Sequence, residues 1–525
     1  MHQCFTKALA TLTAAAITLL PAGPAFAGEG GTATPIKHVV VIFQENVSFD
    51  HYFGTYPKAA NPAGEPAFHA KENTPRVNSL ESAGLLTNNP NGVNPFRIDR
   101  SNAVTCDENH TYEDEQFAFH AGLMDRFTGI APSNGKPFSC LDKNIGANSV
   151  LGYFDGNTVT ALWNYAQHFA MSDNSFGTTF GPSTPGLLNL VAGNTFEGTI
   201  TNGKPAGGNI AGGATSGAVI GDPDPAGDLC SNPNRQQITM SGQNVGDLLN
   251  KAGVTWGSFM GGFALDATNS NGSTGCARSS TGLSGKTGDY IPHHAFFQYW
   301  TSTLNANHTR PTSVAMIGHN GDAANHEYDL IDFWAAVKAH NMPAVSFLKA
   351  PGFQDGHAGY SNPLDEQTFV VNVINTLQKT DEWAETAVIV MYDDSDGWYD
   401  HVMGPIVNQS NVSDDQLLGS GNCGTPSAKQ VGGVGQNGRC GYGPRMPLLV
   451  ISPFAKRNYV DHRVTDQSSV IRFVEDNWHL SRIGGGSADA IAGTLNGFFD
   501  FDDKGRARTL ILDPATGQIV DSDSE

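Results

Sequence analysis

Short, continuous apolar runs alternate with helix-like stretches along most of the chain, and this alternation limits the folds open to it. The runs are rich in β-branched residues and span 36–43, 254–259, 344–348, 387–391 and 448–451. Continuous apolar runs are typical of strands covered on both faces, as in a parallel sheet. Helical patterns between them span 329–340, 365–377 and 468–478. The sequence therefore predicts an α/β fold, a three-layer sandwich with a central, mostly parallel sheet.

Two segments interrupt this pattern. Residues 194–288 and 410–445 are dense in small and polar residues and show little periodicity. We interpret both as loop-rich insertions, the first as a candidate lid over the functional site, with strand 254–259 inside it. We find no internal repeat, and we predict one domain over residues 28–525.

The N-terminus has the features of a secretory signal peptide. A weakly basic start precedes an apolar run at 8–20, and Ala25-Phe26-Ala27 has the small-x-small pattern that a signal peptidase reads. That run is too short to span a bilayer, and no later segment approaches ~20 continuous apolar residues. We therefore expect residues 1–27 to be removed and the protein to be secreted or periplasmic, with no stable membrane insertion.

Six cysteines follow the predicted cleavage site: Cys106, Cys140, Cys230, Cys276, Cys423 and Cys440. An even number in an exported chain indicates disulfides, although fifteen connectivities are possible. Pairing of nearest neighbours is one of these and would staple three loop-rich stretches. None of the six lies in a Cys-x-x-Cys motif, so we predict neither a zinc site nor redox chemistry from them.

The charge of the chain excludes one class of partner. The formal net charge is −21, whereas binding to a nucleic-acid backbone requires clustered Lys and Arg. The acidity also disfavours docking on anionic lipid, and we find no basic amphipathic helix. Solubility outside the cell is the simplest interpretation of the acidic composition.

The first candidate segment follows the first predicted strand. Glu45 and Asn46 come directly after it, and ligands of open α/β sheets bind beyond the carboxyl ends of strands. Carboxylate and amide oxygens are hard donors suited to a divalent cation. The alternative is structural: Asn46 or Ser48 caps a following helix.

The second candidate segment follows strand 387–391. It contains three carboxylates within four residues, Asp393, Asp394 and Asp396. Such carboxylates repel one another unless a cation or bound protons relieve the repulsion. A metal site is the economical interpretation, and an acidic surface turn is the alternative.

The third candidate segment is a tight turn, Gly181-Pro182-Ser183-Thr184-Pro185-Gly186, which leads into an apolar helix. A hydroxyl at a helix N-terminus is either a cap or an activated nucleophile. No base follows Ser183 nearby in sequence, but a metal ion lowers the pKa of an oxygen bound to it. Several histidines lie in polar, glycine-rich or aromatic contexts: His110, His293, His294, His326, His357 and His401.

Taken together, these segments resemble the bacterial phospholipase C and acid phosphatase family of the alkaline phosphatase superfamily. The motifs that carry the resemblance are Glu45 to Gly54, Asp107 to His110, Gly181 to Pro185, Asp355 to Gly359 and Asp393 to His401. They occur in the order typical of the family and span most of the chain after residue 27. The resemblance implies an alkaline-phosphatase-like sandwich.

The resemblance also implies roles for individual residues. Glu45, Asn46, Asp393 and Asp394 are expected to bind one divalent metal ion, whose identity stays open. Ser183 is expected to contact that metal and to act as the nucleophile. His110, His357 and His294 are expected to contact the phosphoryl oxygens or the leaving group. His293, His401 and Asp396 are additional candidates for the site.

Two positions depart from the pattern of the family. Val47 stands where the family usually has Arg, and Gln467 stands where many phospholipase C members have His. Neither position belongs to the expected metal ligands. Both leave the preferred leaving group open.

We therefore predict a secreted, metal-dependent hydrolase that cleaves phosphate esters through a phosphoserine, of phospholipase C or acid phosphatase type. Its expected partner is a phospholipid or a soluble phosphomonoester. The alternative from another class is a non-catalytic, secreted calcium-binding surface protein. That alternative does not explain Ser183 in a Gly-Pro turn, nor the histidines. A sulfatase is disfavoured because the chain has no Cys-x-Pro-x-Arg motif.

Overall fold

Strands that follow the predicted apolar runs form one central sheet. The computed structural model describes residues 1, 31–129, 139–202, 207–425, 436–502 and 508–522. Thr32–Glu525 is one compact unit, and Met1–Gly31 is assigned to a separate one. The predicted signal peptide, residues 1–27, lies outside the described residues apart from Met1.

Within the described residues the sheet has eight strands: β1 (His38–Gln44), β2 (Ala170–Ser172), β3 (Trp256–Met260), β4 (Glu327–Asp329), β5 (Val345–Lys349), β6 (Thr386–Tyr392), β7 (Leu448–Ile451) and β8 (Tyr459–Asp461). Their order is β4-β3-β5-β1-β6-β7-β2-β8. Strand β1 is central, and Val39 pairs with Val345 of β5 and with Ala387 of β6. Every neighbouring pair is parallel except the two that involve β7.

Both faces of this sheet are covered. All seven residues of β6 are buried, as are six of the seven in β1. Successive side chains of a strand point to opposite faces, so burial at every position requires protein on both sides. The predicted three-layer α/β sandwich with a mostly parallel sheet is therefore confirmed.

The described residues contain eight α-helices: α1 (Phe49–Phe53), α2 (Tyr112–Phe119), α3 (Thr160–His168), α4 (Ser183–Ala192), α5 (Val245–Ala252), α6 (Leu330–Lys338), α7 (Pro363–Leu377) and α8 (Ser469–Asn477). Helix α3 packs against α7, while α4 packs against α5 and α8. The three predicted helices correspond to α6, α7 and α8. None of the described helices is long and apolar enough to cross a membrane.

Local sequence explains where α6 and α7 begin. The Asp329 side chain accepts a hydrogen bond from the backbone amide of Ile331, and it forms a capping box with Asp332. At α7, the Asn362 side chain accepts bonds from two backbone amides, and Pro363 follows at the first helical position. Both arrangements satisfy amides that have no partner within the helix.

The interval 194–288 contains strands and helices between its loops. It contains a small sheet made of Gly198–Ile200, Ser216–Gly217, Asp224–Pro225 and Gln237–Met240, together with α5, β3 and the hairpin Ser279–Gly282/Gly285–Gly288. In the second interval, residues 410–425 and 436–445 contain turns and isolated bridges. Three more strand pairs lie elsewhere: Phe96–Arg97 with Gly152–Tyr153, Ser175–Phe176 with Thr465–Asp466, and Leu510–Leu512 with Ile519–Ser522.

The six cysteines form three disulfides, Cys106–Cys140, Cys230–Cys276 and Cys423–Cys440. Nearest-neighbour pairing is therefore confirmed. The bonds close loops of 34, 46 and 17 residues in sequence separation.

A reducing agent is expected to lower the melting temperature of the protein, because each loop-closing disulfide stabilises a fold by about 2–4 kcal/mol. Thermal unfolding with and without reductant measures the effect. A variant with all six cysteines replaced by serine is the control and should not respond to reductant. Six free thiols in unfolded, unreduced protein would contradict the pairing.

A buried glutamate lies beneath the carboxyl end of β6. The two carboxylate oxygens of Glu366 accept hydrogen bonds from Tyr392 (2.6 Å) and Tyr52 (2.8 Å). Burial raises the pKa of Glu366 to about 8, although the two tyrosine hydroxyls oppose this shift.

Glu366→Gln is expected to flatten the dependence of stability on pH. The folded protein keeps its proton on Glu366 to a higher pH than the unfolded chain does. The stability contributed by the neutral carboxyl is therefore complete below about pH 4.5 and is lost as the pH rises towards about 8. Between pH 5 and 8.5, the free energy of unfolding should fall more in the wild type than in the variant, by on the order of 2–4 kcal/mol.

Denaturant titrations at both pH values provide this measurement. Glu72→Gln is the matched control because Glu72 is exposed. Parallel pH profiles for the wild type and Glu366→Gln would contradict the burial argument.

Candidate active site

The candidate site lies at the carboxyl edge of the sheet, where two neighbouring strands end. Glu45 and Asn46 follow β1, and Asp393 and Asp394 follow β6. The backbone amide of Asn46 donates to Asp393 Oδ1 over 3.2 Å. Asn46 has a φ of 54°, a left-handed conformation that asparagine tolerates better than most residues. The pairing of β1 with β6 thus brings the first and second predicted segments together.

Ser183 joins these residues from the start of α4. Its hydroxyl lies 3.1 Å from Glu45 Oε2 and 3.2 Å from Asp394 Oδ2, and it donates to these carboxylates. The N-cap residue of α4 is Pro182, so the Ser183 hydroxyl contacts carboxylates and does not cap the helix.

A glycine allows α4 to approach this closely. Gly186 packs against the backbone of Asp393, and a Cβ atom at position 186 would overlap the Asp393 carbonyl group. Thr184 is held separately: its amide donates to Asp222 (2.9 Å) and its hydroxyl to the His293 carbonyl oxygen (3.2 Å). The turn is therefore fixed by backbone contacts on both sides of the Ser183 side chain.

The donor set at this edge fits a divalent cation. Asn46 Oδ1 and Asp393 Oδ2 are buried without a hydrogen-bond partner, and a buried acceptor without a partner is costly. Burial and the neighbouring Asp393 raise the pKa of Glu45 and of Asp394. Hard oxygen donors that converge in this way are the ligands that Mg²⁺, Ca²⁺ and Mn²⁺ prefer, and Zn²⁺ also accepts them.

Sequence reasoning missed a lysine in this cluster. Lys349 ends β5, next to β1 in the sheet, and its side chain is 1% exposed. The ammonium donates to Glu45 Oε1 and lies 4.0 Å from Asp393 Oδ2. Burial alone lowers the pKa of Lys349, but the adjacent carboxylates outweigh burial and raise it.

His110 presents one ring nitrogen to this edge. Its Nδ1 lies 2.8 Å from the Glu108 carbonyl oxygen and 3.3 Å from Asp396 Oδ1. Its Nε2 lies 3.5 Å from Asn46 Nδ2. Burial lowers the pKa of His110, but Asp394 and Asp396 reverse this effect, so the pKa lies well above its usual value.

The other predicted histidines of the site are held close by. His294 Nδ1 lies 3.2 Å from Glu45 Oε1. The rings of His357 and His110 are 5.9 Å apart in a T-shaped arrangement. Burial lowers the pKa of His294 and of His357, and it lowers that of His293 to about 4. The His293 and His294 rings also meet edge to face, 4.4 Å apart.

His401 belongs to a different cluster. Its Nδ1 lies 2.5 Å from Asp50 Oδ2, and its Nε2 lies 3.0 Å from Asn78 Oδ1. Arg445 is also bonded to Asp50 and to Asp400. The structure thus places His401 in an ion network that ties α1 to the segment after β6, and not among the predicted metal ligands.

The structure locates the remaining residues that sequence analysis singled out. Ser48 caps α1, since its hydroxyl accepts from the His51 amide (3.2 Å), so the structural alternative holds for Ser48 but not for Asn46. Gln467 donates to the Asp393 carbonyl oxygen (2.5 Å) and accepts from the Thr178 amide (3.1 Å). Gln467 therefore links the residue after β6 to the segment that contains Thr178. Val47 is buried.

Sequence analysis assigned no role in the site to two further acidic residues. Glu115 accepts from the Ser395 hydroxyl (2.6 Å) and from the Gly181 amide (3.0 Å), so it links the second and third segments. Asp355 lies within reach of Glu45 and His294, and burial raises its pKa to about 7. Glu115 gave no sequence signal, whereas Lys349 directly follows the predicted strand 344–348 and Asp355 begins one of the motifs that carry the family resemblance.

The chain is similar in sequence to a known protein family and to several phospholipases C. The model of the phosphoesterase family matches residues 36–481. The non-hemolytic phospholipase C of Pseudomonas aeruginosa is 27% identical over 464 residues, covering 85% of this chain and 54% of the relative. Phospholipase C B of Mycobacterium tuberculosis is 26% identical over 493 residues, covering 90% of this chain and 80% of the relative.

A plant protein and a solved structure are also similar. The non-specific phospholipase C3 of Arabidopsis thaliana is 22% identical over 447 residues, covering 83% of this chain and 66% of that protein. The crystal structure of a protein in the alkaline phosphatase superfamily from Vibrio parahaemolyticus has a TM-score of 0.28 at 10% identity, covering 80% of this chain and 79% of that chain. The chain spans about half the length of the Pseudomonas relative.

The matched interval contains both strand ends and the helix that form the site, namely β1, β6 and α4. It also contains Lys349 and each histidine that the structure brings to this edge. Because the match covers most of the sequence, the chain that builds this edge is a member of the phosphoesterase family.

Proposed function

We propose that the protein hydrolyses phosphate esters through a phosphoserine formed on Ser183, with one divalent cation held by Glu45, Asn46, Asp393 and Asp394. One observation carries the proposal. The Ser183 hydroxyl lies between two buried carboxylates, beside buried Asn46 and Asp393 oxygens that have no hydrogen-bond partner. A surface protein that only stores calcium needs no such hydroxyl.

In the first step, Ser183 Oγ attacks phosphorus in line with the leaving oxygen. Glu45 Oε2 and Asp394 Oδ2 already accept the hydroxyl hydrogen, so they are placed to take the proton. A cation bound at this donor set supplies Lewis-acid stabilisation of the negative charge that develops there. The bond to the ester oxygen breaks as the bond from Ser183 forms.

The leaving alcohol takes a proton from a histidine. His110 is held at Nδ1 by Glu108 and Asp396, which leaves Nε2 for this transfer or for a phosphoryl oxygen. His357 and His294 flank the phosphoryl group in the same proposal. Water then attacks the phosphoserine and gives a proton to the histidine, the Ser183 oxygen takes back its proton from the carboxylate, and phosphate leaves, or a phosphomonoester leaves when the substrate is a diester.

The ester substituent has a place to bind. A cavity of about 400 Å³ is lined by His110, Pro182 and Asp222, among others. Pro182 directly precedes the nucleophile, and His110 is the proposed proton donor. The phospholipase C relatives favour a phospholipid diester, and soluble phosphomonoesters are the second class of substrate in this proposal. Export to an oxidising compartment is also part of the proposal, and the three disulfides support it.

The test compares a chromogenic phosphomonoester with a phosphocholine diester on the purified protein. Hydrolysis of at least one should stop with EDTA and return when a divalent ion is added. Ser183→Ala protein, purified in the same way, controls for contaminating phosphatases. Absence of hydrolysis with every divalent ion tried, or full activity in EDTA, would contradict the proposal.

A further inference from the structure

Lys349 is an unusual companion for a predicted cation site. Its ammonium is buried at the carboxyl end of β5, and the sheet places that end one strand away from Glu45. It donates to Glu45 Oε1 and lies 4.0 Å from Asp393 Oδ2. A basic side chain thus forms ion pairs with two of the residues proposed to hold a divalent cation.

The charges around Lys349 are almost all negative. Glu45 follows β1, Asp393 follows β6, and Asp355 follows β5; all three are buried. His294 contacts the same Glu45 oxygen over 3.2 Å, and burial lowers the pKa of this histidine. Among the described residues, no arginine and no second lysine forms an ion pair with Glu45, Asp393 or Asp394.

Burying this ion pair costs free energy, so we expect it only where the charges have a function. A buried lysine loses its hydration, and an apolar side chain of similar size is often as stable or more stable in such a position. The carboxylates cannot be replaced in this way if they are metal ligands. Without the metal, their mutual repulsion has to be offset by bound protons or by a nearby cation. Lys349 is the cation that the fold supplies.

We propose that Lys349 is a built-in counter-cation of the metal site, which keeps the carboxylates assembled without metal and weakens metal binding by repulsion. This inference rests on the proposed function, since it takes Glu45 and Asp393 as ligands. Lys349 is a positioning residue here and is assigned no contact with the substrate. It follows that the wild-type protein folds before it acquires its metal and that the bound ion exchanges.

The two effects predict opposite changes when the charge is removed. Lys349→Met keeps an unbranched side chain, one atom shorter than that of lysine, and removes the charge. The metal-free protein should lose stability because the carboxylates are then uncompensated. Metal affinity should rise at least about tenfold, because two cations a few ångströms apart in a protein interior repel strongly.

The experiment uses the full chain freed of metal and titrated separately with Mn²⁺, Zn²⁺ and Ca²⁺ against a competing chelator. Melting temperatures with EDTA and with saturating ion are recorded in parallel. Lys349→Met should bind the preferred ion at least about tenfold more tightly than the wild type. It should melt at a lower temperature in EDTA and close to the wild type when loaded. Lys349→Arg keeps the charge and should keep the wild-type affinity.

Lys349→Gln separates charge from hydrogen bonding, because an amide still donates to Glu45 without a positive charge. It should share the tighter binding, and it replaces Lys349→Met if that variant does not fold without metal. Metal binding that is unchanged or weaker in both neutral variants would overturn the proposal. Lys349 would then only hold the Glu45 side chain in position. If the wild type binds none of the three ions, this inference and the metal site of the proposed function both fail. If the wild type binds an ion and the neutral variants bind it with the same affinity, only this inference fails.

Discussion

Ser183→Ala is expected to hydrolyse phosphate esters at least ~10³-fold more slowly than the wild type, in line with losses at other nucleophiles that act as a unit with their partners. The hydroxyl contacts both Glu45 and Asp394. An alanine cannot form the covalent intermediate. Steady-state turnover measures the loss, and acid quench after brief reaction, followed by peptide mass spectrometry, should show phosphate on the wild-type peptide that contains Ser183.

Thr184→Ser is the matched control. The Thr184 hydroxyl donates to the His293 carbonyl oxygen, a bond that serine also makes, so turnover should stay close to that of the wild type. Wild-type activity in Ser183→Ala, or phosphate trapped on a histidine, would overturn the mechanism.

Asp393→Ala is expected to reduce hydrolysis to background and to abolish metal binding while the protein stays folded. Asp393 Oδ2 is buried without a hydrogen-bond partner, and Oδ1 fixes the amides of Asn46 and Asp394. Removing one of several close carboxylates relieves repulsion, so the metal-free fold should not be weakened by charge. Metal content by elemental analysis and circular dichroism test the two parts.

Three further variants sharpen this test. Asp393→Asn retains the Oδ1 acceptor without the charge and should also lose the metal. Glu45→Ala should lose activity too, and should melt lower than Asp393→Ala because Lys349 then loses the carboxylate to which it donates a hydrogen bond. Asp266→Ala is the control, since the Asp266 side chain is 66% exposed. Near-normal turnover with intact metal content in Asp393→Ala and Glu45→Ala would show that these residues are not ligands.

Patterns along the chain were enough to predict the sheet and the edge at which the site lies. Strands β1 and β6 are recognisable because they are apolar throughout, and the residues after them, Glu45 and Asp393, are polar. Parallel neighbours end at the same edge, so the convergence of these segments follows from the fold class. The resemblance to a family then related Ser183 to the two strand ends.

The parts that were missed depend on contacts between distant segments. Lys349 is the last residue of an apolar strand, and only the order of the sheet shows that its neighbour is Glu45. Glu115 lies on a helix that follows His110, and its bonds to Ser395 and Gly181 arise from tertiary packing. His401 lies near the carboxylates in sequence, yet the chain turns after Gly397 (φ 71°) and directs it to Asp50. Such a turn cannot be predicted from the spacing of residues along the sequence.

The contact between Gly186 and the Asp393 backbone has a consequence for how such a protein can diverge. The backbone of Gly186 packs directly on the backbone of Asp393, and this contact sets the distance between Ser183 and the carboxylates. A side chain at position 186 therefore cannot change that distance gradually. Any larger residue would push α4 away from the strand and separate the reacting groups. Residues that line the neighbouring cavity are not constrained by this contact. They come from the segment between 194 and 288, as Asn209 and Asp222 do, and also from the stretch that contains His110. Changes at these lining residues therefore alter the cavity without moving α4.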